Sequence, residues 1–295
     1  MTEFIQLVLA GTANGCIYGL LALALVLIYR STHIINFGQG EMAMFSTYIC
    51  WSFLNAGMGY WVAVPLTLIL AFAAGLAVQR ILIRPVQNAP ELTIVIVTLG
   101  LYLFFNSLAL WIYSGVPKPF PLPTGVRQAS WQVGDIFIIP YHLFIFVVLI
   151  VLMLALYVLF QRTKLGLGLR AAAAQPVSSQ LVGINVGWML ALGWGIAAAA
   201  GALAGILSAP IVQLEPNFMA TVLIFSFASA TLGGFDSPPG AVVGGIALGN
   251  IVALGGRYIE FIGTQLDIVL ALVVIVAVLL VRPAGLFGRQ AVQRV

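Results

Sequence analysis

The sequence predicts an all-α integral membrane protein, a polytopic bundle of about eight to ten transmembrane or re-entrant helices with a weak two-half organisation. Composition is the first reason. Of 295 residues, 62% are hydrophobic and 7% charged, where a soluble domain carries about a quarter charged residues. Mean hydropathy is +1.13. The second reason is repetition, because apolar runs recur along the whole chain at close to the roughly 20 residues that cross a bilayer. The third is the placement of the basic residues, which stand singly at the ends of those runs as membrane orientation requires.

Nine runs are expected, at roughly 5–29, 34–57, 60–82, 92–114, 138–160, 187–208, 217–233, 240–256 and 264–281. Those at 34–57, 217–233 and 240–256 are polar-interrupted or short, and a re-entrant segment at 34–57 or 209–233 is the alternative to a full span there. The N-terminus "MTEF" lacks a basic region, so the first run is expected to stay as a membrane helix. Nine spans place the termini on opposite sides. Arg30, Arg80, Arg84, Arg162, Lys164, Arg170, Arg282, Arg289 and Arg294 then share one face, and Lys118, Arg127 and Arg257 the other. This asymmetry makes the C-terminus cytoplasmic and the N-terminus external.

No sizeable soluble domain fits. Residues 1–295 read as a single transmembrane domain, with a first half of about 1–137, a second of about 138–295 and an inner polar loop at about 161–186. The outer loop 115–137 alternates Pro117, Pro119, Pro121 and Pro123, which favours a stiff, extended connector. Cys16 and Cys50 lie within apolar runs and suggest packing rather than a disulfide or metal site. The net charge of +4 is too dispersed for nucleic-acid binding. No cofactor is implied. No GxxxxGK[ST] loop and no enzyme signature is present, so a catalytic role is not expected.

Helices in lipid associate where small residues let backbones approach. Gly11, Gly15 and Gly19 form one such stripe, Gly193, Ala197, Gly201 and Gly205 a second, and Ala241, Gly245 and Gly249 a third.

Polar intrusions mark the candidate site. Glu41 stands in "INFGQGE", beside an apolar run, where a carboxylate is costly and a functional role is the default reading. Asn36 and Gln39 have the spacing of a capping pair. Gly38 and Gly40 permit irregular backbone, and Phe37 completes the segment. The expectation is that Glu41 sits in the first turns of a helix whose dipole favours an anion, close to the translocation path. Structural capping and contact with a partner subunit are the other two readings. Glu215, in "IVQLEPNF", is a looser counterpart in the second half.

Four motifs together resemble a known family. "STHIINFGQGEMAMFSTY" is similar to the first-half motif of the membrane permeases of bacterial branched-chain amino acid ABC importers, through Ile35, Asn36, Phe37, Gly38, Gly40, Glu41 and Met44. Gly38-Gln39 replaces the Ala-His more usual there. "LRAAAAQPVSSQLVGINV" resembles the family's cytoplasmic loop through Arg170, Ala171, Leu181, Gly183, Ile184 and Asn185, with Gln175 and Pro176 in place of its common acidic residue. "TLGGFDSPPGAVVGG" resembles the late glycine-rich motif, with Asp236 where Gly is frequent, and "VRPAGLFG" matches the ending. The length fits the shorter of the two permease types.

The resemblance implies a permease subunit that forms the translocation path for branched-chain or related amino acids. Implied partners are a second related permease, two ABC ATPase subunits and a soluble periplasmic or lipid-anchored substrate-binding protein, in a bacterial inner membrane. The family also serves urea, short amides and small carboxylates. The 161–186 loop would be a short helix docked in a groove of the ATPase, with Arg170, Ala171, Ala172, Ala174, Leu181, Gly183, Ile184 and Asn185 as its candidates. Lys118, Arg127 and Arg257 are candidates for meeting the binding protein. A stand-alone secondary carrier or channel is the alternative of a different class.

Overall fold

The computed structural model describes residues 2–87, 89–126, 130–259 and 266–288. Every predicted apolar run contains a helix. These are α1 (Thr2–Thr32), α2 (Gln39–Asn55), α3 (Tyr60–Val78), α4 (Glu91–Tyr113), α5 (Pro140–Arg162), α8 (Val186–Val212), α9 (Phe218–Gly233), α10 (Pro238–Tyr258) and α11 (Asp267–Val281). The inner loop adds α6 (Lys164–Ala174) and α7 (Pro176–Leu181). A π-helical turn at Gln79–Ile83 and a 3-10 turn at Arg84–Val86 continue α3. Among the described residues, six helices are long and apolar enough to cross a membrane: α1, α3 with its continuation, α4, α5, α8 and α10. α2, α9 and α11 have only 17, 16 and 15 residues.

Side-chain caps mark three helix starts. Thr163 Oγ1 accepts from the Gly166 N–H at 3.0 Å, Asn185 Oδ1 from the Trp188 N–H at 3.1 Å, and Ser237 Oγ from the Gly240 N–H at 3.1 Å. Such caps satisfy N–H groups that the helix leaves without partners. The outer loop, expected as a plain connector, also carries an antiparallel hairpin. Its strands β1 (Trp131–Val133) and β2 (Ile136–Ile138) pair Trp131 with Ile138 and Val133 with Ile136, and Gly134 turns between them at φ +64°.

The chain packs as two compact units. One comprises 1–26, 126–146 and 221–295, the other 27–125 and 147–220. In the first, two of the predicted small-residue stripes meet each other. A Cβ on Gly11 would come within 2.9 Å of the Gly249 carbonyl oxygen, one on Gly15 within 2.6 Å of that of Gly245, and one on Gly245 within 2.5 Å of the Gly19 Cα. α1 and α10 therefore touch backbone to backbone. Phe225, Ala228, Leu248, Val252 and Ala271 form a core beside them, where Tyr18 stacks on Phe225 at 4.7 Å. The two late motifs also join. The Leu286 N–H donates to the Leu232 carbonyl at 2.8 Å and the Phe287 N–H to that of Gly233 at 3.1 Å. Gly234 adopts φ +98° there, and a Cβ on it would lie 2.8 Å from the Ala284 carbonyl oxygen.

In the second unit α8 is the spine, and the third stripe lies along it. Gly201 and Gly205 face α2, where a Cβ would meet Gln39 Nε2 at 2.5 Å and the Ala43 carbonyl at 2.9 Å. Toward α3, a Cβ on Gly195 would meet Phe72 at 2.9 Å, and one on Gly75 would meet Ala198 Cβ at 2.6 Å. Trp194 is fully buried within this packing.

These contacts predict opposite outcomes for two glycines in membrane helices. Gly15→Leu forces a side chain into the α10 backbone and is expected to cost about 1–3 kcal/mol as overpacking. Gly100, in α4, has nothing within 4 Å of a Cβ, so Gly100→Ala is expected to be neutral or to stabilise by up to about 1 kcal/mol. Thermal unfolding of both variants in one detergent checks the contrast.

Candidate functional site

The stretch "INFGQGE" forms the entry to α2, and its polar side chains are buried. Asn36, Gln39 and Glu41 each have zero exposure. Asn36 folds the chain on itself: its Oδ1 accepts from the Gly38 N–H at 3.0 Å while its carbonyl accepts from the Gln39 N–H at 3.2 Å. The reciprocal capping box expected from the spacing is absent. Gly38 is the N-cap and α2 has no side-chain cap. Asn36 and Gln39 instead bond side chain to side chain at 3.1 Å. Gln39 Nε2 then donates to the Ala197 carbonyl of α8 at 3.0 Å. Gln39 is thus a tether to the spine helix, and the small residue at Gly201 leaves room for its amide.

Gly38 serves space rather than unusual backbone. Its φ is −79°, and a Cβ on it would press Leu101 of α4 at 3.1 Å. Gly40 lies buried in the first turn of α2. Phe37 is half-buried just before that turn.

α2 presents two faces. Gln39, Ala43 and Thr47 turn to α8. Glu41, Phe45, Tyr48 and Ser52 recur at spacings of four, three and four, which puts them on one helix face, toward α4. Phe45 meets Phe105 at 5.3 Å and Tyr48 stacks on Tyr113 at 4.4 Å between ring centroids. Ser52 Oγ lies 3.0 Å from the Tyr113 hydroxyl.

Glu41 stands in the first turn of α2, as expected, but no backbone N–H among the described residues donates to it. Its Oε2 lies 3.4 Å from Asn106 Nδ2, beyond the usual 2.7–3.2 Å range, and its buried Oε1 has no hydrogen-bond partner among the described residues. Asn106 explains the weakness. The same Nδ2 donates at 2.9 Å to the Pro216 carbonyl and at 2.9 Å to Asn217 Oδ1. An amide nitrogen has two protons. Three acceptors converge on it, which also fixes the amide orientation, and the carboxylate is the most distant of the three.

Asn106 was not singled out in the sequence, although a lone Asn within "YLFFNSLALW" was the available signal. Glu215 is half-buried on the α8–α9 connection, next to the Pro216 and Asn217 that Asn106 holds. That connection is anchored at its start. Lys118 and Leu214 exchange backbone hydrogen bonds at 2.9 and 3.2 Å, and the Lys118 ammonium lies 4.8 Å from the Trp51 ring centroid. Trp51 in turn donates to the Pro119 carbonyl at 3.1 Å. Arg257 pairs with Glu3 at 2.6 Å on an exposed surface, and Arg127 lies outside the described residues. Cys16 and Cys50 are buried and unbonded to each other.

The 161–186 loop is a helix-turn-helix. Ala172 is fully buried and Ala171 half-buried, so they pack the loop down, while Arg170 reaches Gln161 at 3.0 Å. Ala174, Leu181, Gly183 and Asn185 are exposed and Ile184 half-exposed. Gly183 ends α7 at φ +85° with open space around it. Val177, Leu181 and Val182 are 73%, 84% and 76% exposed, an apolar patch carried on one short helix and its end.

Membrane-length helices around a buried polar cluster with an uncompensated carboxylate describe a polytopic membrane transport subunit. The chain belongs to the family described as branched-chain amino acid transport system / permease component, which matches residues 7–281. It is 30% identical over 306 residues to the high-affinity branched-chain amino acid transport system permease protein BraD of Pseudomonas aeruginosa, covering 99% of this chain and 98% of that one. It is equally similar, at 30% over 309 residues and with the same coverage, to the permease protein LivH of Salmonella typhimurium. The probable permease LivH of Methanocaldococcus jannaschii is 28% identical over 281 residues, covering 91% of this chain and 88% of its own length. In fold, the chain is similar to a chain of PsaBC from Streptococcus pneumoniae in complex with Fab, with a TM-score of 0.50, 12% identity and 96% of each chain covered.

The sharing of Asn106 makes a prediction. Asn106→Leu strands the Pro216 carbonyl and is expected to cost roughly 1–3 kcal/mol. Asn106→Asp is expected to be worse, because it sets a second carboxylate beside Glu41. Melting temperatures of the purified variants rank them.

Proposed function

We propose that the chain is the translocation subunit of an ATP-driven importer of branched-chain amino acids in a bacterial inner membrane. It would pair with a second, related permease, receive substrate from a soluble or lipid-anchored binding protein, and be driven by two ATPase subunits. The relatives' names support the substrate, and the four permease-like motifs support the machine. The observation that carries the reading is the exposed apolar patch of Val177, Leu181 and Val182 on α7. It stands on a short helix between two membrane helices, α5 and α8, on the side richer in cations. Apolar side chains exposed on a polar-side loop are what a protein groove would cover.

Within this reading α6 and α8 hold α7 in place and α7 enters the ATPase. Asn185, by capping α8, and Gly183, by its left-handed turn, set the angle of α7. Glu41, with Asn36, Phe37, Gly38, Gln39, Gly40 and Glu215 around it, lies beside the path. Lys118 and Arg257 belong to the outer face that meets the binding protein. The two halves, about 1–137 and 138–295, act as one permease domain.

Two measurements test the proposal. Leu181→Glu is expected to abolish co-purification with the ATPase subunits and ATP-driven leucine uptake while leaving membrane insertion intact; normal ATPase binding would refute the docking assignment. Single cysteines at 118 and 257 are expected to react with an impermeant external reagent and those at 84 and 170 to be protected. External labelling at 170 would reverse the orientation.

A further inference from the structure

We propose that Glu41 is the group that receives the ammonium of a zwitterionic amino acid during its passage. The inference rests on the importer reading above and adds the chemistry of its site.

Glu41 is the one fully buried acid among the described residues. Burying a carboxylate without compensation is among the costliest acts in folding. Among the described residues the structure offers it little: no cationic side chain pairs with it, no backbone N–H donates to it, and its one hydrogen-bonding approach is that of Asn106 at 3.4 Å. Asn106 spends its two protons on the closer Pro216 and Asn217 oxygens. Oε1 is an acceptor with nothing to accept. Structural carboxylates are hydrogen-bonded. One left under-bonded in a membrane protein has a missing partner, and the partner that fits an anion at this depth is a cation with N–H donors.

Access is short. Half-buried Asn106 approaches Glu41 and bonds to exposed Asn217, so two polar side chains in sequence link the carboxylate to the surface. That link is held by hydrogen bonds from a single amide, and Asn217 and Pro216 belong to the non-helical connection before α9. An ammonium displacing Asn106 from Glu41 breaks only the longest of its three contacts. A primary ammonium has three donors, enough for Oε1, Oε2 and a neighbouring amide oxygen. Urea, an amide or a carboxylate offers no positive charge, and a carboxylate is repelled. The apolar neighbours Phe45 and Phe105 flank the same face, which suits an aliphatic side chain beside the charge.

The test uses the complete importer with its binding protein in proteoliposomes, fuelled by internal ATP. Wild type is expected to import leucine. Glu41→Gln, which keeps shape and removes charge, is expected to lower leucine uptake about tenfold or more, the range in which charge-assisted hydrogen bonds operate. Glu41→Asp is expected to restore part of it, and co-purification with the ATPase subunits serves as the assembly control. An assembled Glu41→Gln importer that moves leucine at the wild-type rate overturns the inference and leaves the proposed function standing. Failure of the near-isosteric Glu41→Gln to assemble also overturns it, by making the carboxylate a packing group. A wild-type importer that moves urea or a carboxylate and no amino acid overturns the proposed function itself.

Discussion

Close approach of backbones is the constraint on which this structure depends. Lipid tails are as apolar as leucine, so a membrane helix gains little by burying leucine against its neighbour. What remains is dispersion between atoms at contact distance, and that is greatest where no side chain holds the helices apart. α1 meets α10, and α8 meets α2 and α3, at glycine and alanine. Many large aliphatic side chains of α5 and α11 point outward; Val151, Leu154, Leu280 and Val281 are all mainly exposed. Large side chains such as Trp194, Leu20 and Leu207 are buried as well, but the closest helix approaches are made by small residues, and large apolar ones also face the solvent, which here is lipid.

This packing makes the polar site possible. Gln39 reaches the Ala197 carbonyl because Gly201 leaves the space. The α2–α8 contact then fixes the angle at which the opposite face of α2 presents Glu41, Tyr48 and Ser52 to α4. A carboxylate on a loosely held helix would turn toward water. Held from behind by Gln39, it stays buried at the cost of one unsatisfied oxygen.

Much of the fold was legible because membrane helices are written in composition alone. All nine apolar runs proved helical, and the stripes at 11, 15 and 19 and at 241, 245 and 249 announced helix contacts, though not that they would contact each other. Pairing is a tertiary property, and glycine spacing carries no address. The site was legible in part. The burial of Asn36, Gln39 and Glu41 followed from polar residues beside an apolar run. Their bonding did not, because the i, i+3 spacing that writes a capping box also allows two side chains to bond directly. Asn106 was hidden for another reason: its importance lies in what it meets across 65 and 110 residues of chain, and a single polar residue in an apolar run has no local signature of its partners. The exposed face of α7 was anticipated as a loop, but which alanines would be buried beneath it depended on α8.

The shortness of three helices has a consequence for the surrounding bilayer. At 15 to 17 residues, α2, α9 and α11 span about 25 Å at 1.5 Å per residue, against a hydrocarbon core of about 30 Å. A helix this short that spans the core leaves irregular chain within it, and such backbone persists in a membrane only where protein or enclosed water lines it. Asn36 and Asn106 act there as substitutes for the headgroup region, supplying amide groups to a turn and a connection that open water would otherwise serve. A helix shorter than the hydrocarbon core is accommodated by local thinning of the bilayer, at a cost of fractions of a kcal/mol per Å of mismatch.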